Sequence, residues 1–207
     1  MLKQRIWRGL IAVLMLAMGP VSAAEGDVVP GFTKVTISVA GNTQIHAGGE
    51  YRVSIKAEVS MRQRIKVDVD GDTLRVYCPG NCGSLHHDGI DVYLPQLNEL
   101  HLLNGGRIEL DTGLPVANSL GLTVHNGGTI DAGNAIAERV VAEVHNGGRI
   151  VLAACSQLDT RIRNGGDIQY FGTPKISKDV INGGNVSSAS GGESIVACNK
   201  AEANAAQ

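Results

Sequence analysis

The triplet Asn-Gly-Gly occurs five times in this chain, at Asn104, Asn126, Asn146, Asn164 and Asn182, with spacings of 22, 20, 18 and 18 residues. Two residues before each asparagine stand Leu102, Val124, Val144, Ile162 and Val180. Four residues before stand Leu100, Leu122, Ala142, Thr160 and Lys178, a column that turns polar in the last two copies. Four residues after each asparagine stand Ile108, Ile130, Ile150, Ile168 and Val186. The column between the first two, His101, Thr123, Glu143, Arg161 and Asp179, is polar. Such alternation is the period of a half-buried strand. A unit of about 20 residues marks a repeat architecture, and no interval between copies leaves room for a crossover helix. Each copy therefore predicts one coil of an all-β solenoid, a parallel β-helix with coils stacked at about 4.8 Å. A propeller blade needs about 40–50 residues, and a leucine-rich repeat needs a motif that these copies do not repeat.

The turn has its own chemistry. Asparagine tolerates the left-handed backbone region and glycine adopts it freely. Five copies in one register read as construction: Asn104, Asn126, Asn146, Asn164 and Asn182 form a structural turn ladder whose amides can bond from coil to coil.

The chain opens as an exported protein does. Lys3, Arg5 and Arg8 precede an apolar run from Leu10 to Met18, and Val21-Ser22-Ala23 is a small-residue cleavage site. Residues 1–23 thus read as a signal peptide. Its run is shorter than the roughly 20 residues that span a bilayer. No cysteine near the cut supports a lipid anchor, and no other segment reads as a membrane span. A bacterial periplasm or the cell exterior is the expected location. Removing the signal leaves 15 Lys and Arg against 20 Asp and Glu, a net charge of −5, which argues against nucleic acid and anionic membrane surfaces as partners. The sole tryptophan, Trp7, leaves with the signal.

Four cysteines in an exported chain point to disulfides. Cys78 and Cys82 flank Pro79-Gly80-Asn81, a turn that could close a small loop, which would leave Cys155 to pair with Cys198. Three pairings are open on sequence alone. Zinc is the alternative use, but Cys78-x3-Cys82 has no second close pair.

In chain order, 24–31 is a short lead and 32–198 a single β-helix domain, with coils repeating over 97–190. Residues 32–77 read as its first sheet layers and an N-terminal β cap, which a solenoid needs to cover its end. Within them Asp70-Gly71-Asp72 between alternating runs is a hairpin signal. Residues 78–89, with His86-His87-Asp88, read as a loop. Ser194 to Cys198 could be a last strand, and 199–207 a disordered tail.

Three stretches together carry a resemblance: Ile45-His46-Ala47-Gly48-Gly49-Glu50-Tyr51-Arg52-Val53-Ser54-Ile55, Val67-Asp68-Val69-Asp70-Gly71-Asp72-Thr73-Leu74-Arg75-Val76, and Ile90-Asp91-Val92-Tyr93-Leu94-Pro95-Gln96-Leu97, followed by glycine-rich turns. From about Lys34 to Ser188 the chain resembles the putative auto-transporter adhesin, head GIN domain family. The resemblance implies an exported, right-handed, single-stranded parallel β-helix with an adhesive or envelope role and brings no catalytic residues. Two departures stand out. The turns here are Asn-Gly-Gly where the family more often shows Ser-Gly-Ser-Gly-like turns. The tail also carries none of the strands that a translocator barrel needs.

Three constellations could carry chemistry. His125 and His145 precede the turn asparagine in adjacent coils and Arg163 continues their column, so the three form a candidate contact face. Two stacked imidazoles could also bind a metal, but a third ligand is missing and Arg163 repels cations. Glu109 and Asp131 share a column, as a polysaccharide-cleaving pair or a calcium site would require. The column continues as Val151, Gln169 and Ser187, with no aromatic platform beside it. Last, Glu143, Arg161 and Asp179 alternate in sign, and Arg149 lies in register with Asp167, so ion pairs between coils are expected. The expected function is a non-enzymatic, adhesin-like binding or scaffolding module. It needs no metal or cofactor, and its partner is a protein or glycan of the envelope or of a surface. A self-assembling homo-oligomeric envelope protein and a polysaccharide-active enzyme are the alternatives.

Overall fold

The computed structural model describes residues 26–80, 82–189 and 198, with side chains outside the description at 84–88. The expected signal peptide, the tail and most of the expected last strand lie outside the described residues. In chain order the elements are β1 (Asp27–Val28), β2 (Lys34–Ile37), β3 (Ala40–Ala47), β4 (Arg52–Lys56), α1 (Val59–Arg62), β5 (Lys66–Asp70), β6 (Thr73–Tyr77), β7 (Ser84–Leu94), β8 (Glu99–Leu102), β9 (Arg107–Leu110), β10 (Ala117–His125), β11 (Thr129–His145), β12 (Arg149–Arg163), β13 (Asp167–Phe171), β14 (Lys175–Ile181) and β15 (Asn185–Ser188).

Strands before and after the Asn-Gly-Gly turn build the two faces of a β-solenoid. On one face β8, β10, the second half of β11, the second half of β12, and β14 pair in parallel, with Leu100, Leu122, Ala142, Thr160 and Lys178 in one row. On the other, Ile108, Ile130, Ile150, Ile168 and Val186 are in one row. Both rows point inward. All members are buried except at the last coil, where Val186 is half-buried and Lys178 exposed. There Lys178 Nζ donates to the Val186 carbonyl at 3.0 Å, across the end of the core.

The turn corner has a repeated backbone. Asn126, Asn146, Asn164 and Asn182 sit at φ between 55° and 60°, and both glycines that follow each also have positive φ. Asn104 does not share this conformation; only its two glycines do. The opposite corner is turned without leaving the sheet. The long strands β11 and β12 bend there through register shifts near Ala132 and Ala137, and the small buried side chains of Ala117, Ala137 and Ala154 let the faces close on each other.

Stacking order departs from chain order at the N-terminal end. β2 lies between β6 and β8, and β3 between β7 and β9, all in parallel. The coil of β6 and β7 is therefore further out than that of β2 and β3, although it comes later in the chain. Beyond it the pairing turns antiparallel: β5 adds to β6, β4 to β7 and β1 to β4. The β5–β6 hairpin turns at Gly71 with φ of 61°, where the Asp-Gly signal placed it. The loop expected over 78–89 is corrected: β7 begins at Ser84 and pairs with β3 from Ala40↔Ser84 onward. The register jumps from Gly41↔Leu85 to Asn42↔Gly89, so 86–88 form a bulge. Polarity marked this stretch as a loop, whereas the free hydrogen-bonding edge of β3 makes it a strand.

Both cysteine pairs expected from their positions are disulfides, Cys78–Cys82 and Cys155–Cys198. The second joins Cys155, at the buried corner of β12, to Cys198, later in the chain than β15.

Candidate functional site

The outer surface of the face containing β8 and β10 carries the candidate contact column. His125, His145, Arg163 and Ile181 are in register on successive coils. The His125 and His145 rings stack with centroids 4.6 Å apart and planes 5° from parallel. Strand spacing imposes this, since equivalent side chains recur at about 4.8 Å. His145 Nε2 lies 3.4 Å from Glu143 Oε2. Arg163 is exposed and makes no ion pair among the described residues. Partial burial, then the neighbouring His145 and His101, hold His125 below the usual imidazole value, against the opposing pull of Glu143. A further imidazolium in this stack would face like charge.

Beside the column runs a row of alternating charge. Arg161 donates to Glu143 Oε1 at 2.7 Å through Nη1 and to Asp179 Oδ2 at 3.3 Å through Nε. The other expected pair does not form as read. Arg149 lies in register with Asp167, but its Nη2 donates to Gln169 Oε1 at 2.6 Å. Strand neighbours lie side by side, but a long guanidinium reaches diagonally as easily as across.

Glu109 and Asp131 are adjacent in register. Arg107 spans them, bonding Glu109 through Nε and Asp131 Oδ2 through Nη2 at 3.3 Å, and Gln44 Nε2 donates to Glu109 Oε2 at 2.8 Å. The Gln44 and Arg107 hydrogen bonds hold Glu109 below the usual carboxylate value. A carboxylate held ionised in this way is a poor proton donor.

Two features escaped the sequence. One is a cluster on the other face: His46 Nδ1 is 2.5 Å from Asp111 Oδ2, His46 Nε2 is 3.3 Å from Asp91 Oδ1, and Lys56 Nζ is 2.5 Å from Asp91 Oδ2. Asp91 is only 5% exposed, and His46 stacks on Tyr93 at 4.6 Å. The hydrogen bond and charge of Asp91 raise Lys56 above the usual lysine value. The cluster joins β4, β7, β3 and the residue after β9. These strands neighbour one another only because β3 lies between β7 and β9, and chain order does not reveal that. The two imidazole nitrogens point to different carboxylates, an arrangement of a clasp and not of a chelate. Among the described residues no group of three His, Cys, Asp or Glu side chains is arranged to hold a metal. The second feature is a groove of about 550 Å³ on the His125 side, lined among others by Glu99, His101, Gly121, Thr123, Val141 and Glu143. A single missing side chain was its only sign in the sequence.

The five turn asparagines divide in the structure. Asn146 Nδ2 donates to Asn126 Oδ1, Asn164 to Asn146 and Asn182 to Asn164, at 3.1, 2.9 and 3.0 Å. Asn126 Nδ2 turns to the Leu103 carbonyl and Asn104 Nδ2 to the Ser38 carbonyl, both at 3.3 Å. Asn104 thus stands outside the amide chain, because its backbone is not left-handed and its neighbour on the other side is β2, which has no such turn.

A family model described as "Putative auto-transporter adhesin, head GIN domain" matches residues 31–119 and 116–174, more than half of the chain. Among solved structures, a putative adhesin from Bacteroides fragilis NCTC 9343 aligns at 19% identity over 79% of this chain and 94% of that one, with a TM-score of 0.54. That likeness is one of fold. A putative adhesin from Parabacteroides merdae ATCC 43184 aligns at 14% identity over 80% and 95%, with a TM-score of 0.37. A putative lipid binding protein from Parabacteroides distasonis ATCC 8503 aligns at 14% identity over 80% and 95%, with a TM-score of 0.36. Among curated proteins no match is found.

Proposed function

Because this chain belongs to the putative auto-transporter adhesin, head GIN domain family, we propose that it is a non-enzymatic binding module, exported to the periplasm or cell surface, that engages a protein or glycan of the envelope. The observation that carries this reading is the His125–His145–Arg163 column. It is an outward row of three cationic or ionisable groups on a rigid sheet, with Arg163 free of any ion pair among the described residues. The alternating charges beside it are satisfied internally, as are Glu109 and Asp131, which supports binding over acid–base chemistry. No helix among the described residues is long and apolar enough to cross a membrane.

End-to-end self-assembly fits less well. Lys178 places a charge in the inward row of the last coil, and inward charges at a sheet edge oppose strand addition. The experiment is attachment of the purified protein to envelope preparations of its own cell. Serine at 125, 145 and 163 together should leave the fold intact, because all three side chains face outward, and should reduce attachment several-fold. Attachment equal to wild type would remove this face from the proposal.

A further inference from the structure

The groove over Gly121 lies between two similar constellations. In one coil Glu99 Oε1 is held by Lys34 Nζ at 3.3 Å, and Glu99 Oε2 lies 3.4 Å from His101 Nε2. Two coils on, Glu143 Oε1 is held by Arg161 Nη1 at 2.7 Å, and Glu143 Oε2 lies 3.4 Å from His145 Nε2. Each carboxylate therefore has one oxygen fixed by a permanent cation and the other at the outer limit of a hydrogen bond to an imidazole. The fixed oxygen orients the group, and the second remains available to a better donor.

Between them the intervening coil presents Thr123 and, at Gly121, no side chain. Gly121 pairs in regular register with Glu99 on one side and Val141 on the other. Its φ is not in the left-handed region that demands glycine. A Cβ there would meet Glu99 Cγ at 3.3 Å. The backbone does not need this glycine, but the groove does. Its lining holds two carboxylates, the His101 imidazole, amides and hydroxyls, with no lysine or arginine and no Phe, Tyr or Trp ring. Val141, 43% exposed, gives it an aliphatic wall. Its volume is within the range of sites that enclose a small group.

Resting on the binding-module reading, we propose that this groove receives a lysine or arginine side chain from an extended segment of a partner protein. The methylene stem would lie along Val141 and the charged head would meet Glu99 Oε2 and Glu143 Oε2. Charge complementarity selects a cation, and an apolar stem with a charged tip suits a groove with one aliphatic wall and two acidic ends. A neutral sugar fits less well, since no Phe, Tyr or Trp face is present to receive it.

The test uses amide NMR shifts of the full mature chain titrated with Ac-Ala-Arg-Ala-Lys-Ala-NH2, and with the same peptide carrying Gln in place of Arg and Lys. The basic peptide should shift Gly121, Thr123 and Val141, at least five-fold more tightly than the neutral one, and should weaken as NaCl rises from 50 to 300 mM. Gly121→Val, which fills the groove at a permitted φ, and Glu143→Gln should each weaken binding at least five-fold while the rest of the spectrum is retained. Equal binding of both peptides, or shifts confined to other residues, would overturn the proposal. So would salt-independent shifts of the same amides by cellobiose, which would assign the groove to a glycan. Failure here with loss of attachment in the 125/145/163 variant would discard the groove alone. Success here with unchanged attachment of that variant would discard the column alone.

Discussion

Asn146 Nδ2 donates to Asn126 Oδ1 at 3.1 Å across one coil step, while Asn146 Oδ1 accepts from Asn164 at 2.9 Å. Asn146 also holds φ at 57°. Alanine there loses two exposed hydrogen bonds and leaves an L side chain in the left-handed region, which costs about 1–2 kcal/mol by itself. Asn146→Ala should destabilise by about 2–3 kcal/mol in denaturant unfolding. Asn146→Gly keeps the backbone and loses only the amide, at about 1 kcal/mol. Asn104→Ala, with one long bond and no left-handed φ, should cost less than about 1 kcal/mol. Equal losses at 104 and 146 would contradict the ladder.

The two glycines of a turn are not equivalent. At Gly147, φ is 82° and a Cβ would meet nothing within 4 Å. At Gly148, φ is 109° and a Cβ would lie 2.6 Å from Val124 Cγ1 and 3.1 Å from the Gly128 carbonyl of the preceding coil. Both alanine variants carry backbone strain, but only Gly148→Ala must also push coils apart. It should cost about 1–3 kcal/mol more than Gly147→Ala. Matching melting temperatures for the two would show that coil spacing yields at no cost.

His125 makes stability depend on pH in a definite direction. Its folded value lies below the usual one, so the unfolded chain takes up the proton first as pH falls. Stability is therefore fully present above the ordinary imidazole range and is lost as pH drops from there toward the folded value. Thermal midpoints of wild type and His125→Thr, compared at pH 8 and pH 5, should show the larger loss on acidification in wild type. An equal loss in both proteins would mean that neither burial nor the neighbouring imidazoles hold His125 below its usual value.

The disulfides should differ in weight. Cys155–Cys198 closes a sequence separation of 43 residues and Cys78–Cys82 one of 4. Loop-closure entropy assigns about 4 kcal/mol to the first and about 2 kcal/mol to the second. Replacing Cys155 and Cys198 together by serine should lower the denaturation midpoint more than replacing Cys78 and Cys82. The reverse order would show that the short loop holds the outer coil in place.

Much of the solenoid was legible because its rules are local. Leu100, Leu122 and Ala142 could be aligned by counting from an asparagine, and the structure stacks them as counted. The stacking of His125 on His145 followed from the same count. The site details were less legible. Nothing in the order of residues says that Arg149 reaches Gln169 instead of Asp167, because rotamers and reach decide it. A glycine reads as a turn or a gap, and only the regular pairing of Gly121 with both neighbours shows that it is a gap.

The sequence by itself determined the coil, the turn and the inward rows, since alternation and left-handed-tolerant residues act within a few positions of themselves. The tertiary structure alone decided which coil neighbours which at the N-terminal end. A free strand edge offers the same backbone donors and acceptors to any partner, and the alternation of Val35 and Ile37 in β2 marks an inward face without naming the strands on either side. Insertion of β2 and β3 there brings His46 between Asp91 and Asp111, with Lys56 closing over Asp91. That contact joins residues up to 65 positions apart. It exists because backbone pairing chose the order of the coils, and side-chain pattern did not.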